Sequence, residues 1–160
     1  MRHTRAEVIE RTIREFDRLD GLIAGLTDAD WARPVSRSEA KDPWTVKDAV
    51  AHIAHWKADA ARSIRRRRRP LEERGLNLGE ANHLVYVRWR DLPPAEILAW
   101  HRQAQADVLS ALREAPDVWF SGRERPEWWP IDLDGHSEQH RVGDIERALS
   151  PHATESRSHP

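Results

Sequence analysis

The chain has 160 residues, 26 Lys and Arg against 27 Asp and Glu, and no Cys. That length suits one domain with one shared core. The near-zero net charge argues against a dedicated nucleic-acid binder, and the missing Cys excludes disulfides, a thiolate nucleophile and Cys-ligated metal. No apolar stretch approaches the ~20 residues of a membrane span, and the N-terminus lacks an apolar signal core, so a cytoplasmic protein is expected.

Charged residues make up 33% and hydrophobic residues 39%. The apolar residues are periodic, which separates this polar chain from disordered ones. Thr4 with Glu7 three residues on is a capping-box pattern. Val8, Ile9, Ile13, Phe16, Leu19, Ile23 and Leu26 then form one stripe of a long amphipathic helix. Gly25 and a Thr27–Asp30 turn should end it, and Trp31 to Pro43 reads as loop. Thr45 with Asp48 opens a second helix, striped by Val46, Ala49, Val50, Ile53, Trp56, Ala60 and Ile64. That helix runs into Arg65–Arg69 and stops at Pro70. Residues 71–78 read as loop and 79–90 as helix-compatible. Pro93-Pro94 starts another helix, whose buried side carries Ile97, Leu98, His101, Val108, Leu109 and Leu112. The Pro- and Trp-rich 115–131 segment reads as a structured loop. A last helix is expected from Asp132 or Asp134 to Leu149, followed by a disordered tail over 151–160. Four long helices and no strand pattern predict an all-α four-helix bundle over residues 1–150. The long 31–44 and 115–131 connections favour crossover loops.

Among nine His, His136 and His140 are spaced i,i+4 and share a helix face. Two imidazoles so placed can bind one divalent metal, although a solvated pair is the plainer reading of the spacing alone. His52 lies in a row with Thr45, Ala49 and Trp56, on the apolar side of its helix. A buried imidazole needs a partner, because leaving it unmet costs about 1–3 kcal/mol. A metal shared with His136 and His140 would supply one, as would a carbonyl or a Glu. His55 falls toward the flank, at the surface or behind the first layer of ligands. Glu138, two positions from each His of the pair, faces elsewhere on the helix. It is a candidate base or a surface residue.

Pro43-Trp44-Thr45-Val46-Lys47-Asp48, followed by Ala51-His52-Ile53-Ala54-His55-Trp56, resembles the second-helix signature of the DinB-like four-helix-bundle superfamily. So does the block from Asp132 through His136-Ser137-Glu138-Gln139-His140 to Ile145. Asn82 to Tyr86 and Trp89-Arg90-Asp91-Leu92-Pro93 resemble the branch that includes the DfsB/ClbS-like proteins. The resemblance covers about residues 4–149. It implies a divalent metal, zinc or nickel, held by His52, His136 and His140. It also implies activities such as thiol transfer with mycothiol or bacillithiol, mycothiol-dependent maleylpyruvate isomerisation, metal-dependent hydrolysis and self-resistance. Three neutral His ligands leave the metal an open position, which can activate water or ionise a supplied thiol.

The eight Trp residues either pack core and loops or line an aromatic mouth over the metal. On the second reading Trp44, Trp56 and Trp129, with Asn82 and Tyr86, are substrate-binding candidates. Arg65–Arg69 complements a helix C-terminus or binds an anion. The sequence therefore predicts a metal-dependent enzyme acting on a reactive small molecule by thiol transfer or hydrolysis, in detoxification or self-resistance. The alternative is a non-catalytic protein that sequesters a small molecule. A homodimer is compatible with either; a nucleic-acid partner is not favoured.

Overall fold

A computed structural model describes residues 3–36, 41–67, 75–120, 124–129 and 142–151. Within them lie six α-helices: α1 (Arg5–Ile23), α2 (Asp28–Trp31), α3 (Val46–Arg66), α4 (Leu78–Trp89), α5 (Pro94–Glu114) and α6 (Gly143–Leu149). Four of them open on a reciprocal capping box. Thr4 with Glu7, Thr27 with Asp30, Thr45 with Asp48 and Asn77 with Glu80 each exchange side-chain and backbone hydrogen bonds. Each box satisfies two backbone N–H groups that a helix start leaves unpaired. α5 instead begins with Pro94 in its first turn, where the missing N–H costs nothing.

Side-chain ties fix the helix directions. Lys47 Nζ donates to the carbonyl of Leu92 at 2.8 Å, and Lys57 Nζ to Gln105 Oε1 at 2.9 Å. Residue numbers rise together along α3 and α5, so these two helices run parallel. α1 runs against them: Gln105 Nε2 donates to the Thr12 carbonyl at 3.2 Å, and Arg102 Nε to Asp20 Oδ1 at 3.0 Å. α6 runs with α1. Arg18 grips Glu146 through two bonds of 2.9 and 2.7 Å, and Arg33 reaches the Leu149 carbonyl. Parallel neighbours need a connection that returns the length of the first helix, about 31 Å for the 21 residues of α3. The segment containing α4 makes that return, whereas the sequence pointed to the 31–44 and 115–131 connections for a crossover.

α3 is the central helix. The sequence suggests a single apolar stripe, but residues on every side of α3 are buried, including His55, Lys57, Asp59 and Ser63. The reason is its neighbours: α2, α4, α5 and α6 all pack on it. Ala49, Ala51, Ala54, Ala60 and Ala61 keep those approaches short. Two apolar clusters lie along it. The first joins Leu19 and Ile23 of α1, Trp44, Val46, Ala49, Val50, Ala51 and Ile53, Ile97 of α5, and Val142, Ile145 and Ala148. The second, toward the other end, joins Val8, Ala60, Ile64, Val108, Leu112, Phe120 and Trp129.

Smaller differences from the sequence reading are local. α1 ends at Ile23, with Gly25 at φ +75 turning the chain. The expected Thr27–Asp30 turn is the start of α2, which takes Trp31 out of the loop and buries it. The 115–131 segment contains a 3-10 turn over Asp117–Trp119. The start of the last helix and the tail beyond Pro151 lie outside the described residues.

Candidate functional site

The chain entering α3 is held by its own backbone. Pro34 and Thr45 form an isolated antiparallel bridge; Val35 N–H donates to the Trp44 carbonyl at 2.8 Å, and Val46 N–H to the Arg33 carbonyl at 2.9 Å. Asp48 closes the first turn by accepting from the Thr45 N–H at 2.9 Å. These contacts seat the Trp44 indole against the His52 ring, 4.8 Å between centroids and tilted 49°. Trp56, one helical turn on, meets the other side of His52 edge-on at 6.0 Å. His52 is 5% exposed. Trp44 and Trp56 thus flank it in space as they do in sequence.

The aromatic contacts continue across the bundle. His55 packs edge-on against Trp56 at 5.3 Å and Trp100 at 6.3 Å. Trp100 lies on Trp89 of α4 at 4.0 Å. His55 is 6% exposed, which corrects its assignment to the flank or surface: α5 covers the side of α3 that a single-stripe reading leaves open. α4 is tied at its middle and just past its C-terminal end. His83 Nδ1 contacts the Asp42 carboxylate at 2.9 Å, and Lys47 bonds the Arg90 and Leu92 carbonyls. Tyr86 is half-buried on the first cluster with the Arg90 guanidinium over its ring. Asn82 is half-buried on the same helix, with its Oδ1 sequestered and without a partner.

Trp129 is not with these residues. It packs edge-on against Phe120 at 5.3 Å and Trp119 at 6.4 Å in the second cluster. Its place in sequence beside the last helix does not predict its place in space, because the 3-10 turn and the end of α5 capture it. His136, Glu138 and His140 lie outside the described residues, and among the described residues no three His or carboxylates form a metal-binding group. Val142, two positions after His140, is buried in the same apolar cluster as Trp44, Ala49 and Ile53, and Trp44 of that cluster touches His52. An imidazole nitrogen is a donor type that suits a divalent ion such as zinc or nickel.

A polar layer lies between α1, α3 and α5, of which the apolar spacing marks only His101 as buried. Lys57 is 7% exposed. Its ammonium bonds Gln105 and lies 5.4 Å from the Phe16 ring centre. Burial pushes its pKa down to about 8, against the pull of Glu15. His101 is fully buried, stacked on Phe16 at 4.8 Å, and neither ring nitrogen has a hydrogen-bond partner. Burial, then the charge of Lys57, pushes it down to about 4, while Asp20 opposes. At the far end of α3, Arg65 bonds the Asp107 carbonyl and Arg67 lies over Trp119. These two have contacts inside the chain; Arg68 and Arg69 lie outside the described residues.

A family model described as mycothiol maleylpyruvate isomerase N-terminal domain matches residues 13–133. The chain belongs to that family. It is a DinB-like four-helix-bundle family related to mycothiol-dependent enzymes, in agreement with the all-α architecture. No curated protein and no solved structure matches the chain. The isomerase-domain match includes His52 and its aromatic neighbours and stops short of His136. No described helix is long and apolar enough to cross a membrane.

Proposed function

We propose that this chain is a metal-dependent enzyme that joins a low-molecular-weight thiol, of the mycothiol type that the family's name carries, to a reactive small molecule. The observation that carries the reading is the position of His52. It is buried on the central helix against Trp44 and Trp56, and Trp44 belongs to the cluster that also takes Val142, the second residue after His140. His52, His136 and His140 would hold the ion, zinc or nickel. A bound ion of that charge lowers the pKa of a thiol or water presented to it.

The chain's own residues do the rest. With no Cys, the nucleophilic sulfur must arrive on a second molecule. Trp44 and Trp56 keep water from the His52 ring and orient it by contact on two sides. The Thr45–Asp48 box and the Pro34–Thr45 bridge hold that end of α3 in place. Asn82 and Tyr86 stand on α4, where Tyr86 packs against the cluster that holds Trp44. Hydrolysis needs the same ligands with water in place of the thiol. A second reading, sequestration without chemistry, is favoured by one observation: the rings flanking His52 carry no acid or base.

The deciding test is metal content of untagged protein after reconstitution with zinc or nickel, beside His52→Ala and His136→Ala variants. About one ion per chain, lost in both variants, with mycothiol consumed in the presence of an electrophile, supports the enzyme. Protein that stays empty overturns it.

A further inference from the structure

α4 is weakly seated. Two of its twelve residues, Ala81 and Val85, are buried, against fifteen of twenty-one in α3 and seven of twenty-one in α5. Leu78, Leu84 and Val87 are exposed along it. Asn82 Oδ1 and Trp89 Nε1 are shut away from solvent with no hydrogen-bond partner among the described residues. An unmet buried group works against the packing that encloses it. A segment with little apolar burial opens at a lower free energy than the core around it.

Its ties give that opening a direction. Just past the C-terminal end, Lys47 of α3 holds the carbonyls of Arg90 and Leu92, the second at 2.8 Å. At the middle, His83 Nδ1 meets both carboxylate oxygens of Asp42, at 2.9 and 3.1 Å. That contact is a surface one, with the His83 side chain 58% exposed. At the N-terminal end the described polar contacts, those of the Asn77–Glu80 box, are internal to the helix. Gly75, just before the box, turns the chain at φ +87. The helix is thus pinned at one end and latched in the middle.

What α4 lies on is the approach to His52. Trp89 packs on Trp100 of α5, 4.0 Å between centroids and tilted 37°. Trp100 is half-buried and stands edge-on to His55 at 6.3 Å. Trp56 touches both His55 and His52. Tyr86 rests on the cluster that holds Trp44. Both histidines are closed off in this arrangement, so a substrate reaches them only after something moves.

We infer that α4 is a gate. It swings out about its Lys47-pinned end when the His83–Asp42 latch releases, takes Trp89 off Trp100, and frees the Trp100 indole to turn. The His55–Trp56 flank of His52 then opens to a small molecule. Gating segments come from the least stable parts of a fold, and the two unmet atoms favour the open form, where water reaches them. The inference rests on the proposed function for what the gate admits, not for the opening itself.

The test uses metal-free, full-length protein and two readouts by mass spectrometry: peptide-resolved amide hydrogen exchange, and carbethoxylation of individual histidines by diethyl pyrocarbonate. His101, fully buried between α1, α3 and α5, is the control. In wild type the α4 amides should exchange at least about tenfold faster than those at the centre of α3. His83→Ala should speed both α4 exchange and His55 modification by about two- to fivefold. Asn82→Leu, which removes one unmet atom, should slow both by about three- to tenfold. His101 should keep its wild-type rate in each variant. An α4 as protected as α3 overturns the gate. So does a His55 rate that ignores both variants, because α4 would then open without uncovering the site. So does a His101 rate that moves in step, which marks loosening of the whole fold. His83→Ala decides the matter if Asn82→Leu fails to fold. Zinc uptake is measured separately on the same proteins. A working gate in protein that takes up no zinc sinks the proposed enzyme and leaves the gate standing; zinc uptake behind an α4 that stays shut does the reverse.

Discussion

Lys57 Nζ donates to Gln105 Oε1 at 2.9 Å, joining the two parallel helices through a charge that burial disfavours. The unfolded chain holds this proton up to its ordinary value of 10.5, whereas the folded chain releases it near 8. Between those values the unfolded state binds more protons, so stability should rise with pH by up to about 1.4 kcal/mol per unit from this residue. Below 8 the contribution is flat. Denaturant titrations at pH 8, 9 and 10 on wild type and Lys57→Met should show the rise only in wild type. Equal slopes would show that Lys57 does not carry it.

His101 acts in the same direction over an acidic range. Its folded value is about 4 and its ordinary value 6.5, so the unfolded chain takes up the extra proton between them. Stability should fall as pH drops from 6.5 toward 4. Lys57 and Arg102 oppose protonation of the folded ring, and Asp20 favours it. His101→Leu should flatten this arm. By removing two unmet polar atoms it should also stabilise the protein by about 1 kcal/mol at pH 7, unless the new branch overpacks the site against Phe16. Urea midpoints at pH 7 and pH 5 give both answers.

α6 connects stability to the candidate metal. Ile145 is fully buried in the cluster around Trp44 and Ala49. Ile145→Ala should cost about 2–5 kcal/mol. It should also lower zinc affinity, because α6 holds the chain next to His140. Glu146→Gln, which breaks the half-exposed pair with Arg18, should cost under about 1 kcal/mol and leave zinc binding unchanged. Equal zinc affinity in Ile145→Ala and wild type would separate the helix from the site.

The Thr45–Asp48 box offers a milder perturbation. Thr45→Ala should destabilise by about 1 kcal/mol and loosen the start of α3. Loss of the Trp44–His52 contact would appear as a change in Trp fluorescence in the folded state. An unchanged spectrum would show that the Pro34–Thr45 bridge alone holds Trp44.

What the sequence made legible was local. The capping pairs at Thr4 and Thr45, the Pro94 start and the apolar steps of α1, α3 and α5 all lie within a few residues of what they specify. The same Thr-x-x-acid signal at Thr27–Asp30 reads as a turn, and the helix it caps is only four residues long, ending at Trp31. Long-range packing was not legible. Nothing near Lys57 announces Gln105, 48 residues away. Nor does the Trp128-Trp129 pair show that it belongs with Phe120 rather than His52. The scattered Ala residues of α3 were the available sign of a helix enclosed on all sides. That sign would have moved His55 from the flank to the interior.

The grip of Arg18 on Glu146 joins positions 128 residues apart. During synthesis, α1 and the first half of α3 therefore leave the ribosome long before α6 exists to cover them. The cluster around Trp44, Ala49 and Ile53 must wait, partly exposed, for Val142 and Ile145. Contacts closed over such separations form slowly, and uncovered apolar surface invites aggregation meanwhile. The cluster is thus complete only once α6 has joined it.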